Sequence, residues 1–296
     1  MGTSLRGHDQ RAAPRAECLA SSAGGDRSVS RNEPEISVAV VAYNSSPWLP
    51  GCLTSLQEAG GESRLEVLVV DNASSDGSAD LVRRQFPAVK LLANRRNLGY
   101  ARAVNQAAHR ATGRYLLILN PDVVVGPGAL EVLRAHLDRD PGVGLVAPRL
   151  LNPDGSLQYS CRRHYTWATY LLRRAPLRYL FPRHSLVRRH LMMDWDHAGI
   201  REVDWVLGAA MMLRRDALGP EIMDERYFLY FEDVDLCLRL QREGWKVVYH
   251  PEATMTHEHR RESGRGVLNR RKYQHFRSWV KFQWKHLRLD AGRSVR

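Results

Sequence analysis

The chain has 296 residues, 44% of them apolar, and a formal net charge of +12, which supplies a core and excludes a disordered or fibrous chain. No apolar run approaches the roughly 18 residues of a membrane-spanning helix, and the first residues lack the apolar core of a signal peptide. Cys18, Cys52, Cys161 and Cys237 lie far apart without a Cys-x-x-Cys pair, which argues against a zinc site and a disulfide framework and fits a reducing cytoplasm.

The positive charge is unevenly spread. Residues 162–190 carry eight Arg or Lys and no Asp or Glu, and residues 257–296 carry twelve against three, so the remainder is slightly acidic. Residues 1–34, rich in Arg, Ser, Gly and Ala without periodicity, read as a disordered tail. From there strands and helices alternate. Strands are predicted at 36–42, 65–70, 89–92 and 115–119, and helices at 53–59, 79–86 and 100–111. Ser78 is read as an N-cap and Gly113 as a C-cap. This rhythm calls for right-handed crossovers and a mostly parallel sheet flanked by helices, an α/β fold. The carboxyl ends of the first, second and fourth strands then share one edge, where open α/β sheets place their ligands.

A helix at 128–138 and a strand at 143–147 follow. Residues 162–190 are basic and aromatic with no clear strand. A buried pattern returns at 203–214, then a helix at 236–243 closed by Gly244, and a short strand at 247–249.

Four polar clusters gather at the predicted edge: Tyr43-Asn44, Asp71-Asn72, Asn120-Pro121-Asp122 and Glu232-Asp233-Val234-Asp235. Pro121 cannot donate to a sheet ladder, so Asp122 lies just past its strand, where a carboxylate either serves a turn or holds Mg²⁺ or Mn²⁺ against substrate phosphates. Asp71 either accepts hydrogen bonds from a nucleoside or caps the next helix. No G-x-G-x-x-G follows the first strand, which argues against a dinucleotide site of the oxidoreductase kind. Glu232, Asp233 and Asp235 crowd a helix start, where one can act as a general base and any one can simply cap. His257 and His259 alternate along an extended segment and either complete a metal site or belong to a solvated basic tail.

Val40-Val41-Ala42-Tyr43-Asn44, Val69-Val70-Asp71-Asn72-Ala73-Ser74-Ser75-Asp76-Gly77-Ser78, Asn97-Leu98-Gly99-Tyr100-Ala101, Leu119-Asn120-Pro121-Asp122 and Phe231-Glu232-Asp233-Val234-Asp235-Leu236-Cys237 together resemble the family 2 glycosyltransferases of GT-A fold, over about 36–261. The likeness is to the branch of bacterial rhamnosyltransferases. It implies a Rossmann-like nucleotide-sugar-binding half, 35–125, and an acceptor or catalytic half, 126–261. It implies that Tyr43, Asn44, Asp71, Asn97, Asn120 and Asp122 hold the sugar nucleotide, with Asp122 and His257 on a divalent cation. Asp233 becomes the base of an inverting transfer, with Glu232 and Asp235 in the acceptor region. Trp205 either packs on a sugar or nucleotide face or is a core aromatic. The family's usual Asp-x-Asp metal motif is departed from, since Asn120 replaces its first carboxylate. The same Asn-Pro-Asp occurs in the rhamnosyltransferase-like branch, which favours dTDP-rhamnose over a UDP-sugar and implies a glycan or lipid-linked acceptor in cell-envelope polysaccharide synthesis.

Residues 262–296 read as a basic amphipathic helix. Tyr273, Phe276, Val280, Trp284 and Leu287 share one face beside Arg270, Arg277, Lys281, Lys285 and Arg288. That face either sits on an anionic membrane surface, making the protein peripheral on the cytoplasmic side, or packs on the catalytic domain. A nucleic-acid-binding protein would use the basic charge but leave the acidic clusters without a purpose, so no nucleic-acid partner is expected. A non-catalytic sugar-nucleotide module would keep Asp71 without needing Asp233. A nucleotidyltransferase would release pyrophosphate.

Overall fold

The structure is a computed structural model that describes residues 34–59, 64–173, 177–180, 184–258 and 270–293. The expected tail, apart from Pro34, and His259 lie outside the described residues. The first half alternates as predicted: β1 (Ile36–Ala42), α1 (Leu49–Ala59), β2 (Leu65–Asp71), α2 (Ser78–Gln85), β3 (Lys90–Ala93), α3 (Tyr100–Arg110) and β4 (Tyr115–Leu119). β5 (Val123–Val125), α4 (Ala129–Arg139), β6 (Val143–Leu151), β7 (Leu157–Gln158) and β8 (Cys161–Arg162) follow. Then come α5 (Trp167–Leu172), α6 (Leu177–Leu180), α7 (Ser185–His190), β9 (Arg201–Glu202), β10 (Trp205–Val206) and β11 (Ala210–Arg214). The last elements are α8 (Glu232–Arg242), β12 (Lys246–His257) and α9 (Arg270–Arg293).

One sheet carries the order β3-β2-β1-β4-β11-β6-β12-β5. Its first four strands are parallel, with Ala42 beside Asp71 and Val40 beside Leu119, so the polar turns after β1, β2 and β4 open at one edge. β11 runs antiparallel between β4 and β6, with Ala210 opposite Leu119, so the preceding Gly208 and Ala209 reach that same edge. β12 is parallel to β6 and antiparallel to β5, and its last residue, His257, pairs with Val123. Two strands far apart in sequence thus deliver a histidine to the Asn-Pro-Asp turn.

The central strands read as continuous apolar runs because both sheet faces are covered. On one face Ala39, Val41, Leu116, Ile118 and Leu213 pack with α3, α8 and α9. On the other Val38, Val40, Leu117 and Leu119 pack with Leu53 and Leu56 of α1 and Leu130, Leu133 and Leu137 of α4.

Several local expectations are corrected. Ser78 begins α2 rather than capping it: the preceding Gly77 is left-handed (φ 84°), and the Ser78 hydroxyl donates to Asp76 Oδ1 at 2.5 Å. Gly113 is not the cap of α3, which ends at Arg110; a Cβ on Gly113 would lie 2.6 Å from the Ser37 backbone nitrogen, so glycine is there for close approach. Residues 162–190 do begin in a strand, since Arg162 of β8 pairs with Trp205 of β10. The final strand spans Lys246–His257 rather than three residues, because it lies between two partners.

α9 packs through Ser278, Trp279, Phe282 and His286, which are buried. Tyr273, Phe276, Val280 and Trp284, the expected apolar stripe, lie on the opposite face and are exposed. The helix therefore carries apolar residues on two faces and buries the unpredicted one. The side chains of Arg270, Leu287 and Arg288 lie outside the described residues.

Candidate active site

Asp71 closes β2 and is buried. Its Oδ2 accepts from Ser74 N at 3.1 Å, whereas Oδ1 is buried without a hydrogen-bond partner among the described residues. A buried unsatisfied acceptor is costly, and a ligand N–H or O–H would satisfy it. Asn44 is left-handed (φ 52°) and knits the neighbouring loop, its Oδ1 accepting from Ser75 N at 2.9 Å and its N–H donating to Ser74 Oγ at 2.9 Å. The Tyr43 ring beside it is half exposed. Asn97 serves the adjoining loop: its Oδ1 accepts from Asn72 Nδ2 at 3.0 Å and from Gly99 N at 2.9 Å.

β1 separates β2 from β4, so Asp71 and the Asn120-Pro121-Asp122 turn stand two strand spacings apart, about 10 Å. That interval lets one extended ligand touch both. His257 Nε2 lies 3.3 Å from Asp122 Oδ1, and its Nδ1 lies 2.7 Å from Gln158 Oε1. The Gln158 amide nitrogen donates to Asn152 Oδ1 at 3.1 Å, so Oε1 is left to accept the Nδ1 proton. Nε2 then turns an acceptor toward a carboxylate, a pair that needs a proton or a cation between them. A ring fixed from behind in this way is the usual support of a metal-ligating histidine. Among the described residues no group of three His, Cys, Asp or Glu could hold a metal. A carboxylate oxygen and an imidazole nitrogen 3.3 Å apart fit a divalent cation, which Asp122 and His257 would hold.

Asp233 lies in the first turn of α8, after Tyr230 and Phe231, both left-handed (φ 69° and 71°). Two consecutive such residues without glycine are strained, a feature of functional sites. Gly208 N donates to Asp233 Oδ2 at 3.1 Å and Val234 N to Oδ1 at 2.9 Å. Tyr100 OH lies 3.2 Å from Asn120 Oδ1 and 3.1 Å from Gly208 O, linking the start of α3 to both clusters. Burial, then the charges of Glu232, Asp233 and Asp122, push the Tyr100 hydroxyl well above its ordinary value. Burial also raises Asp233, and burial plus the Asp233 charge raises Glu232 well above the ordinary range.

The expected site residues therefore divide. Tyr100 bonds Asn120 and Gly208, Gly208 holds Asp233 next to Glu232, and Asp122 of the same turn pairs with His257, with Asp71 and Tyr43 further along the same edge. Trp205 is corrected: it is 3% exposed, stacks on Tyr165 at 5.6 Å and donates from Nε1 to Arg163 O at 3.0 Å, as a core aromatic. Asp235 does not face the acceptor region either. It is fully buried and bonded to His286, Lys285 and Arg239 at 2.8, 2.7 and 3.0 Å. Tyr100, Gln158 and Gly208 are the participants not singled out from sequence. Tyr100 sits inside the Asn-Leu-Gly-Tyr-Ala motif and was its better signal.

Carboxylates gathered across the strand ends of an α/β sheet are the arrangement of an enzyme site rather than of a structural edge. Residues 37–205 match the model described as Glycosyl transferase family 2, and the chain belongs to that family of glycosyltransferases. It is 34% identical over 243 residues to the N-acetylglucosaminyl-diphospho-decaprenol L-rhamnosyltransferase of Mycobacterium tuberculosis strain H37Rv, covering 77% of each chain. It is 29% identical to the O-antigen biosynthesis protein RfbC of Myxococcus xanthus over 77% of this chain and 17% of that one. Among solved structures, Staphylococcus aureus TarS 1-349 in complex with UDP-GlcNAc superposes with a TM-score of 0.53 at 17% identity, over 79% of this chain and 62% of that one. The mannosyltransferase PcManGT from Pyrobaculum calidifontis, in complex with GDP-Man and Mn²⁺, gives 0.50 at 20% identity, over 78% and 59%. The chain spans about three-fifths of the length of these two structures, and at such identities they show the GT-A fold alone.

Proposed function

We propose that the protein transfers rhamnose from dTDP-rhamnose to a hydroxyl of a lipid-linked glycan, with inversion, in cell-envelope polysaccharide synthesis. The observation that carries this is that Tyr100 OH meets both the Asn120-Pro121-Asp122 turn, at Asn120 Oδ1, and Gly208, whose N–H holds Asp233, in a chain 34% identical to a rhamnosyltransferase named for a diphospho-decaprenol acceptor.

In this mechanism Asp71, with its unpaired Oδ1, and the exposed Tyr43 ring receive the nucleoside. Asp122 and His257 would hold Mg²⁺ or Mn²⁺, which when bound neutralises charge on the departing diphosphate. Asp233, aimed by Gly208 N, takes the proton of the acceptor hydroxyl as its oxygen attacks the anomeric carbon and the bond to the nucleoside diphosphate breaks. Asn44 and Asn97 shape the two loops that frame the donor. Holding donor and acceptor together supplies much of the acceleration.

Incubation with a panel of sugar nucleotides and lipid extract, with and without Mn²⁺ or Mg²⁺, tests the reading. Nucleoside diphosphate release from dTDP-rhamnose that depends on the cation is expected. Turnover of a UDP-sugar instead would replace the donor, and binding without any turnover would leave a sugar-nucleotide-binding module.

The exposed stripe of α9 fits an anionic lipid surface. Trp279 joins it to α5, lying edge-on to Trp167 at 4.7 Å and stacked on Tyr170 at 4.0 Å, and Trp167 and Leu171 are themselves exposed. Each basic residue near such a surface, Arg277 among them, adds about 1 kcal/mol. The protein should float with vesicles containing anionic lipid, and Phe276→Glu with Trp284→Glu should leave most of it unbound. Wild-type protein remaining in the soluble fraction would refute the contact. Among the described residues no helix is long and apolar enough to cross a membrane.

A further inference from the structure

Arg162 belongs to the short strand ladder that precedes Gly208. It pairs across β8 and β10 with Trp205, and Leu207 N donates to Ser160 O at 3.0 Å, so this short ladder leads directly to the Gly208 amide that holds Asp233. Arg162 is 7% exposed. Its Nη1 donates to the carbonyls of Tyr159 and Cys161, but its Nε is buried with no partner among the described residues. The nearby ion pair goes elsewhere, from Arg163 to Asp194 at 3.1 Å. Arg173 has neutral partners, Tyr165 OH at 2.9 Å and His190 Nε2 at 2.9 Å.

Burial, then Arg173 and Arg162, push His190 down to about 3, so it stays neutral and adds no compensating or competing charge. Burial, then Arg173, pull Arg162 down to about 10, and Asp233 is the carboxylate it feels most strongly. Arg163, next in the chain to Arg162, donates from its backbone N–H to His190 O at 2.9 Å, and the His190 ring meets Arg173 at 2.9 Å, so the two arginines share one corner of the fold, with no carboxylate bonded to either guanidinium among the described residues. Such a cation is expensive to bury unpaired, and a guanidinium fork matches phosphate geometry.

We infer that Arg162 and Arg173 form an anion subsite that takes the phosphate of the acceptor, next to the sugar whose hydroxyl Asp233 deprotonates. The inference rests on the proposed diphosphate-bearing acceptor. It places donor and acceptor phosphates apart, the first at Asp122 and His257, the second behind Gly208. It also selects acceptors, because a sugar lacking the phosphate leaves Arg162 Nε without a hydrogen-bond partner and its charge without a counter-ion.

Two measurements test it, on wild type, Arg173→Gln and Arg162→Gln. In calorimetric titration with inorganic pyrophosphate, with EDTA removing divalent cations, wild type should bind and each variant should bind about tenfold or more weakly. In transfer assays, the ratio of kcat/KM for a sugar-diphospho-lipid over that for a phosphate-free alkyl glycoside should fall by a similar factor, while the donor KM stays within about twofold. A raised donor KM would assign the arginines to the donor diphosphate and overturn the subsite. Equal losses with both acceptors would make their role structural, and thermal unfolding of each variant identifies a folding defect. Arg173 is partly exposed, so its variant keeps the test decisive if Arg162→Gln does not fold. Pyrophosphate binding that depends on both arginines, in a protein that glycosylates no lipid-linked acceptor, would keep the subsite and remove the proposed function. Transfer insensitive to both substitutions would do the reverse.

Discussion

Asp233→Asn is expected to lower kcat by about 10²–10⁴-fold, the range for loss of a general base, while nucleoside diphosphate binding is retained. The amide keeps one oxygen, which can accept from Gly208 N as Oδ2 does at 3.1 Å, and loses the second acceptor, which takes Val234 N at 2.9 Å, so thermal unfolding of the variant separates a folding loss from a catalytic one. Glu232→Gln should cost much less, because Glu232 is buried with its Oε2 unpartnered among the described residues rather than directed at Gly208. The pH dependence carries a sign. Burial raises Asp233 against the backbone hydrogen bonds from Val234 and Gly208. The base works deprotonated, so activity falls as pH drops through this raised value, and the acid limb lies above the ordinary carboxylate pKa of about 4. A kcat profile flat down to pH 4, or an Asp233→Asn enzyme within tenfold of wild type, would contradict the assignment.

Asp235→Asn should destabilise the fold by about 3–5 kcal/mol, the cost of breaking a buried charge pair from one side. Its carboxylate joins α8 to α9 through His286 and Lys285, and Lys285 also reaches Asp224 at 2.8 Å. Burial alone would raise the Asp235 pKa, but the His286 hydrogen bond and the charges of Lys285 and Arg239 outweigh it and hold the carboxyl below its ordinary value. A depressed carboxyl contributes stability that is complete above its unfolded pKa, about 4, and is lost as pH falls through the lower folded value. The gap in melting temperature between wild type and variant, on the order of 10 °C at neutral pH, should therefore narrow in acid. A shift of less than about 2 °C at neutral pH would show that α9 is held by its apolar face alone.

The contrast between Asp233 and Asp235 shows what the sequence carries. Both belong to one acidic cluster, yet two positions along a helix are turned by about 200°, so they cannot face the same pocket. That angle was legible once the helix was known to begin at Glu232 rather than four residues later. The parallel half was legible because its strands are short apolar runs ended by polar turns, and the turns after β1, β2 and β4 are forced to one edge by parallel topology. The pairing of β12 with β5, which sets His257 beside Asp122, and the insertion of β11 between β4 and β6 were not, since long-range register leaves no local periodicity. Trp205 was ambiguous for a simpler reason. An aromatic beside small residues suits a ligand face and a core equally, and only its neighbours Tyr165 and Arg163 decide. On α9 the exposed apolar stripe was legible and the face that packs on the domain was not, because the helix has a second apolar face around Trp279 and Phe282.

The central claim is a single displacement in which Asp233 serves as base and never bonds to the sugar. The anomeric configuration of the product, read by NMR after transfer from dTDP-rhamnose to a sugar-diphospho-lipid, tests it most directly. Inversion relative to the donor is the predicted result. Retention would contradict it, because that outcome requires a second displacement or a same-face route in which Asp233 is not the base described here.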